Sequence, residues 1–408
     1  MSIPIAATSG RGLSFGRRGD RDHWSRLCGF GPCLTALAFL VPVALCAQEA
    51  QLKLDSNLPY QADRRSPVTY DVDFSVVVTP PSKTKVLKVW LPLPQTDAAQ
   101  EVLDSELTSF PMSVQPRIDR ETVFGNKFAY FEFSNPQGAQ ILRHQFTAKV
   151  YELRWNLDSA KIAAVERWPA AFDAFRRSES QAVLVDDRFR QLLDKIVPQP
   201  KNPLLNLAAV MHWTNENFTY SHGDIARAAS SVRALDVRDG NCSDYHSFCA
   251  AMGRALGYPT CVTYGLHLFP KNSPTHCKLE AYLPPVGWVS FDVSETQKMI
   301  AAIRADNSLP ADEKTRLARA ASDRLNQGFS DNTWLLLTRG TEYDLAPPAS
   351  KKVVVARTAY IEADGVALPD PDPADASRRE FAWMTAHKYQ PDRPVSYPFQ
   401  DFKSLEQR

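Results

Sequence analysis

The hydrophobic pattern of this chain indicates β-strands first, helices next, and then a mixture of the two. Between residues 66 and 155, apolar and polar residues alternate in several runs, which is typical of half-buried strands. The most regular run has apolar residues at every second position: Val68, Tyr70, Val72, Phe74, Val76 and Val78. Further runs lie at 86–93, 128–133 and 144–150. They predict an N-terminal antiparallel β domain over residues 66–155, and we expect a sandwich.

Helical patterns replace this alternation after residue 155. Residues 156–200 predict a helical connector, in which Pro169 interrupts one helix and Pro198 ends another. A longer helix is predicted from about Pro203 to Asn217. It leads into the part of the chain that contains the candidate chemistry.

A helix is predicted from Cys242 to Leu256, directly after the turn signal Asp239-Gly240-Asn241. Apolar residues recur at helical spacing, and Gly257 with Pro259 just beyond it marks the end. Cys242 therefore lies in the first turn of a helix. Unpaired backbone N–H groups and the positive end of the helix dipole favour a thiolate there.

Two predicted strands follow, and each contains a residue that can assist a thiol. His276 begins one strand, which ends at Leu283, and Trp288 to Asp292 forms the next. A hairpin would place side chains of the two strands within reach of each other. A nucleophilic thiol needs a base, and the base needs a partner that fixes its tautomer. We therefore expect Cys242 as nucleophile, His276 as base and Asp292 as the residue that orients it.

The order of these residues resembles the transglutaminase-like core. The similarity rests on Gly-x-Cys at 240–242, His276, and Gly-Trp-Val-Ser-Phe-Asp at 287–292, and it covers roughly residues 200–295. One departure is Cys277-Lys278, where many members have Ala-Trp or Cys-Trp. The resemblance implies a papain-like α+β fold, with helices packed on an antiparallel sheet, and the same three roles for Cys242, His276 and Asp292.

The predicted catalytic domain covers residues 201–365 and includes a helical insertion at 297–328. Within the insertion, Ser308 is the expected N-cap of a helix that ends at Gly328. Residues 366–408 are predicted to be a C-terminal tail.

The resemblance implies a thiol enzyme that attacks a carboxamide or a peptide carbonyl and forms a thioester. The reaction would end in hydrolysis or in transfer to an amine, and the expected partner is a protein or peptide substrate. The alternative is a catalytically idle domain that serves as a protein- or cell-wall-binding module.

We expect no cofactor and no metal. The sequence has no calcium loop of the Asp-x-Asp-x-Asp-Gly type and no Cys-x-x-Cys pair. Cys277 directly follows His276, so the two are expected to face opposite sides of a strand.

Several nearby residues have simpler explanations than catalysis. Cys249 is explained by core packing, and Asp244 by the complement of the helix dipole. His246 is expected either on the surface of the helix or in a position that supports the site. One disulfide among Cys249, Cys261 and Cys277 is an open alternative.

The overall charge argues against nucleic acid as a partner. In 408 residues, 47 Lys and Arg balance 46 Asp and Glu, which leaves no net field for nucleic acid or an anionic membrane. The hydrophobic fraction of 44% is ample for two to three domains.

Residues 1–47 are predicted to be a signal peptide, followed by a linker at 48–65. A basic segment precedes an uncharged stretch from Leu27 to Gln48, whose apolar part runs from Leu34 to Leu45. We therefore expect a periplasmic or extracellular protein with no membrane association after cleavage. An uncleaved anchor is the alternative, and Pro42 and the short apolar run argue against it.

Overall fold

Six strands open the part of the chain that the structure describes. The computed structural model describes residues 53–221, 229–270, 275–370, 382–397 and 401–405, so the predicted signal peptide lies outside the described residues. The six strands are β1 (Asp63–Thr79), β2 (Val86–Leu93), β3 (Gln100–Phe110), β4 (Arg117–Arg120), β5 (Lys127–Ser134) and β6 (Gln140–Arg154).

Helices dominate the next segment, as the loss of alternation predicts. Short 3₁₀ turns lie at Ser159–Lys161 and Ala170–Phe172. The helices and two short strands are α1 (Asp173–Arg176), α2 (Asp187–Ile196), α3 (Pro203–Asn217), β7 (Thr219–Tyr220), α4 (Ser231–Val237), β8 (Asp239–Gly240) and α5 (Cys242–Ala255).

Strands and helices are mixed in the remainder. The elements are β9 (Thr260–His267), β10 (Thr275–Leu283), β11 (Gly287–Phe291), α6 (Val293–Ala305), α7 (Ala311–Gln327), β12 (Phe329–Ser330), β13 (Trp334–Arg339), β14 (Tyr360–Ala363), β15 (Val366–Ala367) and β16 (Ala382–Pro391). A 3₁₀ turn at Phe402–Leu405 is the last described element.

Two antiparallel sheets form the N-terminal part. One has the order β12-β6-β1-β16, with β3 also paired to β6, and the other has the order β15-β14-β2-β5-β4. Apolar side chains of β1 and β6 share one hydrophobic core with those of β2 and β5. The alternating residues of β1 point into this core because successive side chains of a strand face opposite sides. The expected N-terminal antiparallel β region is confirmed.

A third antiparallel sheet, β11-β10-β9-β13, supports the candidate site. Helix α5 packs on it, and Leu279, Ala281 and Leu283 of β10 share a core with Phe248 and Met252 of α5. The α+β class, with helices packed on an antiparallel sheet, is confirmed.

The region after Asp292 differs in detail from the prediction. Helix α6 begins at Val293, directly after Asp292, and α7 begins at Ala311 with Pro310 as its N-cap. The prediction that Ser308 is the N-cap was therefore wrong. The Oγ of Ser308 instead donates to Asp306 Oδ1 at 2.7 Å, in the turn between the two helices. Gly328 does end α7, with a positive φ of 73°.

Segments predicted as linker and tail contact the rest of the protein. Leu54, Leu58 and Tyr60 pack beside Tyr282 and Trp288 on the third sheet. Strand β16, within the predicted tail, pairs along β1 from Tyr70 to Thr79. No helix among the described residues is long and apolar enough to span a membrane. The predicted domain boundaries stay predictions.

Candidate active site

The first turn of α5 is fixed by a capping box. Asn241 Oδ1 accepts the N–H of Ser243 at 2.8 Å, and Asp244 Oδ2 accepts the N–H of Asn241 at 3.1 Å. Gly240 is required here because a Cβ would lie 2.7 Å from the Cβ of Asp244. This local chemistry places Cys242 at the first helical position, as the sequence predicts.

His276 and Asp292 meet at the end of the β10–β11 hairpin. In this hairpin Leu279 pairs with Phe291, so one further step places Asp292 opposite Lys278 and diagonal to His276. Nε2 of His276 lies 2.7 Å from Oδ2 of Asp292, and both side chains are buried. The cross-strand contact that the pattern predicts is therefore present.

The electrostatics of the three residues are mutually consistent. The pKa of Cys242 lies well below its usual range, and the largest cause is a hydrogen bond from Cys277. Burial raises this pKa, whereas His276 lowers it further. Burial would lower the pKa of His276, but the charge of Asp292, its hydrogen bond and Cys242 raise it to about 9. Burial likewise opposes the ionisation of Asp292, yet His276 holds the pKa of this carboxyl well below its usual range.

These shifts favour a thiolate and an imidazolium side by side. Because Nε2 of His276 is bound to Asp292, Nδ1 is the ring nitrogen that remains for Cys242. Cys242 is partly exposed, whereas Cys249, Cys261 and Cys277 are buried, and all four are free thiols. The open alternative of a disulfide among the last three does not occur in the structure.

His246 and Cys277, to which the sequence analysis gave no catalytic role, also lie at this site, and the expected surface position of His246 is wrong because the side chain is buried. His246 follows Cys242 by one turn of α5 and is fully buried. Its Nε2 accepts the N–H of Val293 at 3.1 Å, and its Nδ1 lies 3.5 Å from Sγ of Cys277. Cys277 lies against the first turn of α5, beside Ser243 and His246. The i, i+4 spacing of Cys242 and His246 was the available signal.

Arg357 reaches the same helix start from a distant part of the chain. Its Nη2 donates to Ser243 Oγ at 2.8 Å, and its Nη1 lies 3.1 Å from Asp370 Oδ2. Burial opposes its charge, but Asp370, Tyr264 and the thiol of Cys242 raise the pKa of Arg357. No local motif near Arg357 announces this contact, which spans 114 residues.

Lys278 lies where this sequence departs from the family motif. Its side chain contacts aromatic rings of other elements. Its Nζ lies 4.6 Å from the ring centroid of Trp334 and 5.4 Å from that of Phe329. Burial lowers the pKa of this lysine, and cation–π contact offsets part of the cost.

His267 and Glu295 surround the other side of His276. His267, Glu295 and His276 each offer one atom that could bind a metal ion, and these three atoms lie within 4.8 Å of one another. Each of the three has a partner: His276 binds Asp292, Glu295 lies 2.5 Å from Lys298 Nζ, and the His267 ring stacks on His276 at 4.6 Å. These contacts support the imidazole of His276.

Comparisons with known proteins agree with this architecture. Residues 190–293 match the transglutaminase-like superfamily, and the range includes Cys242, His276 and Asp292. The crystal structure of a candidate cysteine protease from Cytophaga hutchinsonii aligns with a TM-score of 0.56 and 14% identity, over 83% of this chain and 95% of that chain. At this identity the likeness concerns the fold.

Two other proteins are similar over smaller parts of this chain. An uncharacterized protein of Haemophilus influenzae is 24% identical over 219 residues, which is 47% of this chain, and the chain spans 58% of that relative's length. The periplasmic domain of TgpA from Pseudomonas aeruginosa aligns with a TM-score of 0.31 and 17% identity, over 58% of this chain and 73% of that domain. From the family match, residues 190–293 form a transglutaminase-like core.

Proposed function

We propose that this protein is an exported thiol enzyme that acts on carboxamide or peptide carbonyl groups through a thioester. The proposal is based on the arrangement of three residues: Cys242, His276 and Asp292. Cys242 lies at the first turn of α5 near His276, and Nε2 of His276 lies 2.7 Å from Asp292. The lowered pKa of Cys242 and the raised pKa of His276 suit a nucleophile and a proton donor.

In the first half of the reaction, the thiolate of Cys242 attacks the carbonyl carbon and forms a C–S bond. The carbonyl oxygen becomes an oxyanion in a tetrahedral intermediate. His276 then gives its Nδ1 proton to the departing nitrogen, and the C–N bond breaks. The products are a thioester on Cys242, free ammonia or an amine, and a neutral His276. Asp292 keeps the imidazole oriented throughout and stabilises its charge.

The start of α5 offers stabilisation for the oxyanion. The capping box occupies the N–H groups at Asn241 and Ser243, whereas the first N–H of a helix has no partner within the helix. In this helix the first N–H belongs to Cys242. This N–H and the positive end of the helix dipole would stabilise the oxyanion of the tetrahedral intermediate.

In the second half, neutral His276 takes a proton from the acceptor. With water as acceptor, attack on the thioester releases a carboxylic acid; with a primary amine it forms a new amide. Either route regenerates the thiolate of Cys242 and the imidazolium of His276. The substrate class we propose is a protein or peptide outside the cytoplasm, in keeping with the predicted signal peptide.

A substrate panel with matched variants tests this function. Wild type, Cys242→Ala and Cys249→Ala are incubated with glutamine-containing and other peptides, with and without a primary amine. Released ammonia, new termini and amine incorporation are measured. We expect activity in wild type and Cys249→Ala and none in Cys242→Ala, since Cys249 is a buried core thiol. Wild type no better than Cys242→Ala across the panel would favour the binding-module alternative.

A further inference from the structure

Arg357 is a cation at the start of α5 that takes no part in the bond-making steps proposed above. It lies in the segment between β13 and β14, and its Nη2 donates to Ser243 Oγ at 2.8 Å. Ser243 is the residue next to Cys242 in the first turn of the helix. Only 15% of the Arg357 side chain is exposed. Removal of a guanidinium from water is unfavourable, so the charge at this position needs an explanation.

The surroundings of Arg357 restrict the orientation of its guanidinium. Ser243 is buried, and its Oγ also accepts the S–H of Cys277 at 3.7 Å, so the hydroxyl that binds Arg357 is itself held in place. Cζ of Arg357 lies 5.9 Å from the ring centroid of the buried Tyr264 on β9. A guanidinium held by a hydrogen bond and an aromatic ring loses little further freedom when it binds an anion.

Asp370 supplies a carboxylate to this guanidinium from a position that solvent reaches. Its Oδ2 lies 3.1 Å from Nη1 of Arg357, and 48% of its side chain is exposed. The residue follows β15 and belongs to no helix or strand. Because water competes for an exposed carboxylate, such an ion pair is weak. The carboxylate of Asp370 is therefore exchangeable, whereas the guanidinium is fixed.

A second carboxylate suits the place of Asp370 better than any neutral group. The planar fork of an arginine matches a carboxylate with two parallel hydrogen bonds. An incoming carboxylate keeps the charge of Arg357 paired, whereas a neutral amide in the same place would leave that charge without a counter-ion. The arrangement therefore distinguishes an acid from its amide, one residue away from the nucleophile.

We propose that Arg357 is a specificity-determining residue: it binds a carboxylate of the peptide substrate near the carbonyl that Cys242 attacks, and Asp370 occupies this place until the substrate binds. The inference rests on the proposed function and narrows its substrate class to peptides with a carboxylate close to the target carbonyl. This carboxylate is either the C-terminus of the peptide or an acidic side chain. Binding exchanges one ion pair for another, and no covalent bond changes.

Iodoacetate and iodoacetamide provide a test that needs no substrate. Both alkylate the thiolate of Cys242, and they differ in a carboxylate against a neutral carboxamide. The ratio of their rates does not depend on how much of Cys242 is ionised. Division by the ratio for the same thiol in urea removes the intrinsic difference between the reagents. Modification of the Cys242 peptide is followed by mass spectrometry.

Replacement of Arg357 should reduce the preference for iodoacetate. In Arg357→Met the normalised ratio should fall about tenfold, because a hydrogen bond between charged groups is lost. Arg357→Lys keeps the charge without the planar fork and should lie between Arg357→Met and wild type. Arg190→Met changes an exposed arginine of α2 and should match wild type. An unchanged ratio in Arg357→Met would overturn the proposal.

Asp370→Asn tests the exchange of carboxylates and changes an exposed residue, so it keeps the proposal testable if Arg357→Met does not fold. Loss of the competing charge should raise the normalised ratio about two- to fivefold. When combined with Arg357→Met, Asp370→Asn should have no effect, because Asp370 acts through Arg357. An unchanged ratio in the single variant would overturn the proposal. Effects that simply add in the double variant would do so too, since they indicate a general field of charge.

Matched peptides identify the source of the carboxylate. One pair has a free or an amidated C-terminus, and the other has Glu or Gln beside the target amide. Each peptide is tested for protection of Cys242 against iodoacetamide. In at least one pair the acid should protect at about tenfold lower concentration than its neutral partner, and Arg357→Lys should reduce this difference. The pair that responds shows whether the C-terminus or a side chain is bound.

The same peptides separate this inference from the proposed function. If neither acidic peptide protects better than its neutral partner, the inference fails. Protection and alkylation need no turnover. Peptide turnover without any preference for acids would therefore defeat this inference alone, and a preference for acids without turnover would defeat the proposed function alone.

Discussion

Oδ2 of Asp292 lies 2.7 Å from Nε2 of His276, while Oδ1 of the same carboxylate accepts the N–H of Glu295 at 3.1 Å and caps helix α6. One side chain thus orients the proposed base and begins the next helix. The two roles need different chemistry: the cap needs an acceptor, which Asn also provides, whereas the imidazolium needs a negative charge.

Replacement of Asp292 should therefore separate activity from stability. Asp292→Asn should lower kcat by about two to four orders of magnitude, because the charge that favours the imidazolium is lost. Its free energy of unfolding should stay closer to wild type than that of Asp292→Ala, which also loses the cap at a cost of about 1 kcal/mol. Peptide turnover and urea unfolding of both variants check this. Full activity in Asp292→Asn would rule out the orienting role.

Activity should depend on pH through a thiolate–imidazolium pair. The pKa of Cys242 is low and that of His276 is about 9, so kcat/KM should reach a plateau between the two and fall as pH rises through about 9. Asp292→Asn should move the alkaline limb to lower pH. The folded pKa of His276 exceeds its unfolded value of about 6.5, so its contribution to stability is complete below that pH and is lost through about 9. Rates and unfolding at constant ionic strength measure both effects.

Cys242 should be the most reactive described thiol. It is partly exposed with a lowered pKa, whereas burial raises the pKa of Cys249 and Cys261 to about 12. Brief alkylation near neutral pH, followed by peptide mapping, should modify Cys242 about a hundredfold faster than the others. In urea the four thiols should react at similar rates. Preferential labelling of Cys249 or Cys261 in the native protein would contradict the assignment of the nucleophile.

The Arg254–Glu179 ion pair should be important for stability. Their side chains are 1% exposed each and the charged atoms lie 2.8 Å apart, so removal of one partner leaves a charge buried. Arg254→Met should cost about 3–5 kcal/mol of unfolding free energy. The exposed pair Arg190–Asp187 is a matched control, and Arg190→Met should cost less than about 1 kcal/mol. Urea denaturation compares the two variants, and equal costs would contradict the prediction.

The predicted signal peptide implies a processed N-terminus. Cleavage should leave a mature chain that begins near Ala47 or Gln48, since the basic segment and the uncharged apolar run both lie before these residues. N-terminal sequencing of protein from the native host, with fractionation of the cell, measures this. A full-length soluble chain in the cytoplasm would be the contrary result.

Local signals allowed the start of α5 and the β10–β11 hairpin to be predicted. Asn241 and Gly240 define the helix start through contacts within four residues. The hairpin brings His276 to Asp292 because the strands are adjacent in sequence and their register follows from a short turn. The alternation of apolar and polar residues in β1 likewise indicates which face of this strand is buried. The sequence alone therefore indicated Cys242, His276 and Asp292, and the family resemblance supported the same choice.

Only the tertiary structure decided the surroundings of that site. The pairing of β16 with β1 joins residues about 300 positions apart in the chain. The contacts of Arg357 with Ser243 and of His246 with Val293 likewise join residues from elements that are distant in the sequence. Periodicity tells which face of an element is buried, but not which distant element covers it. The partners of a buried polar group are set by that packing, so they became known only with the fold.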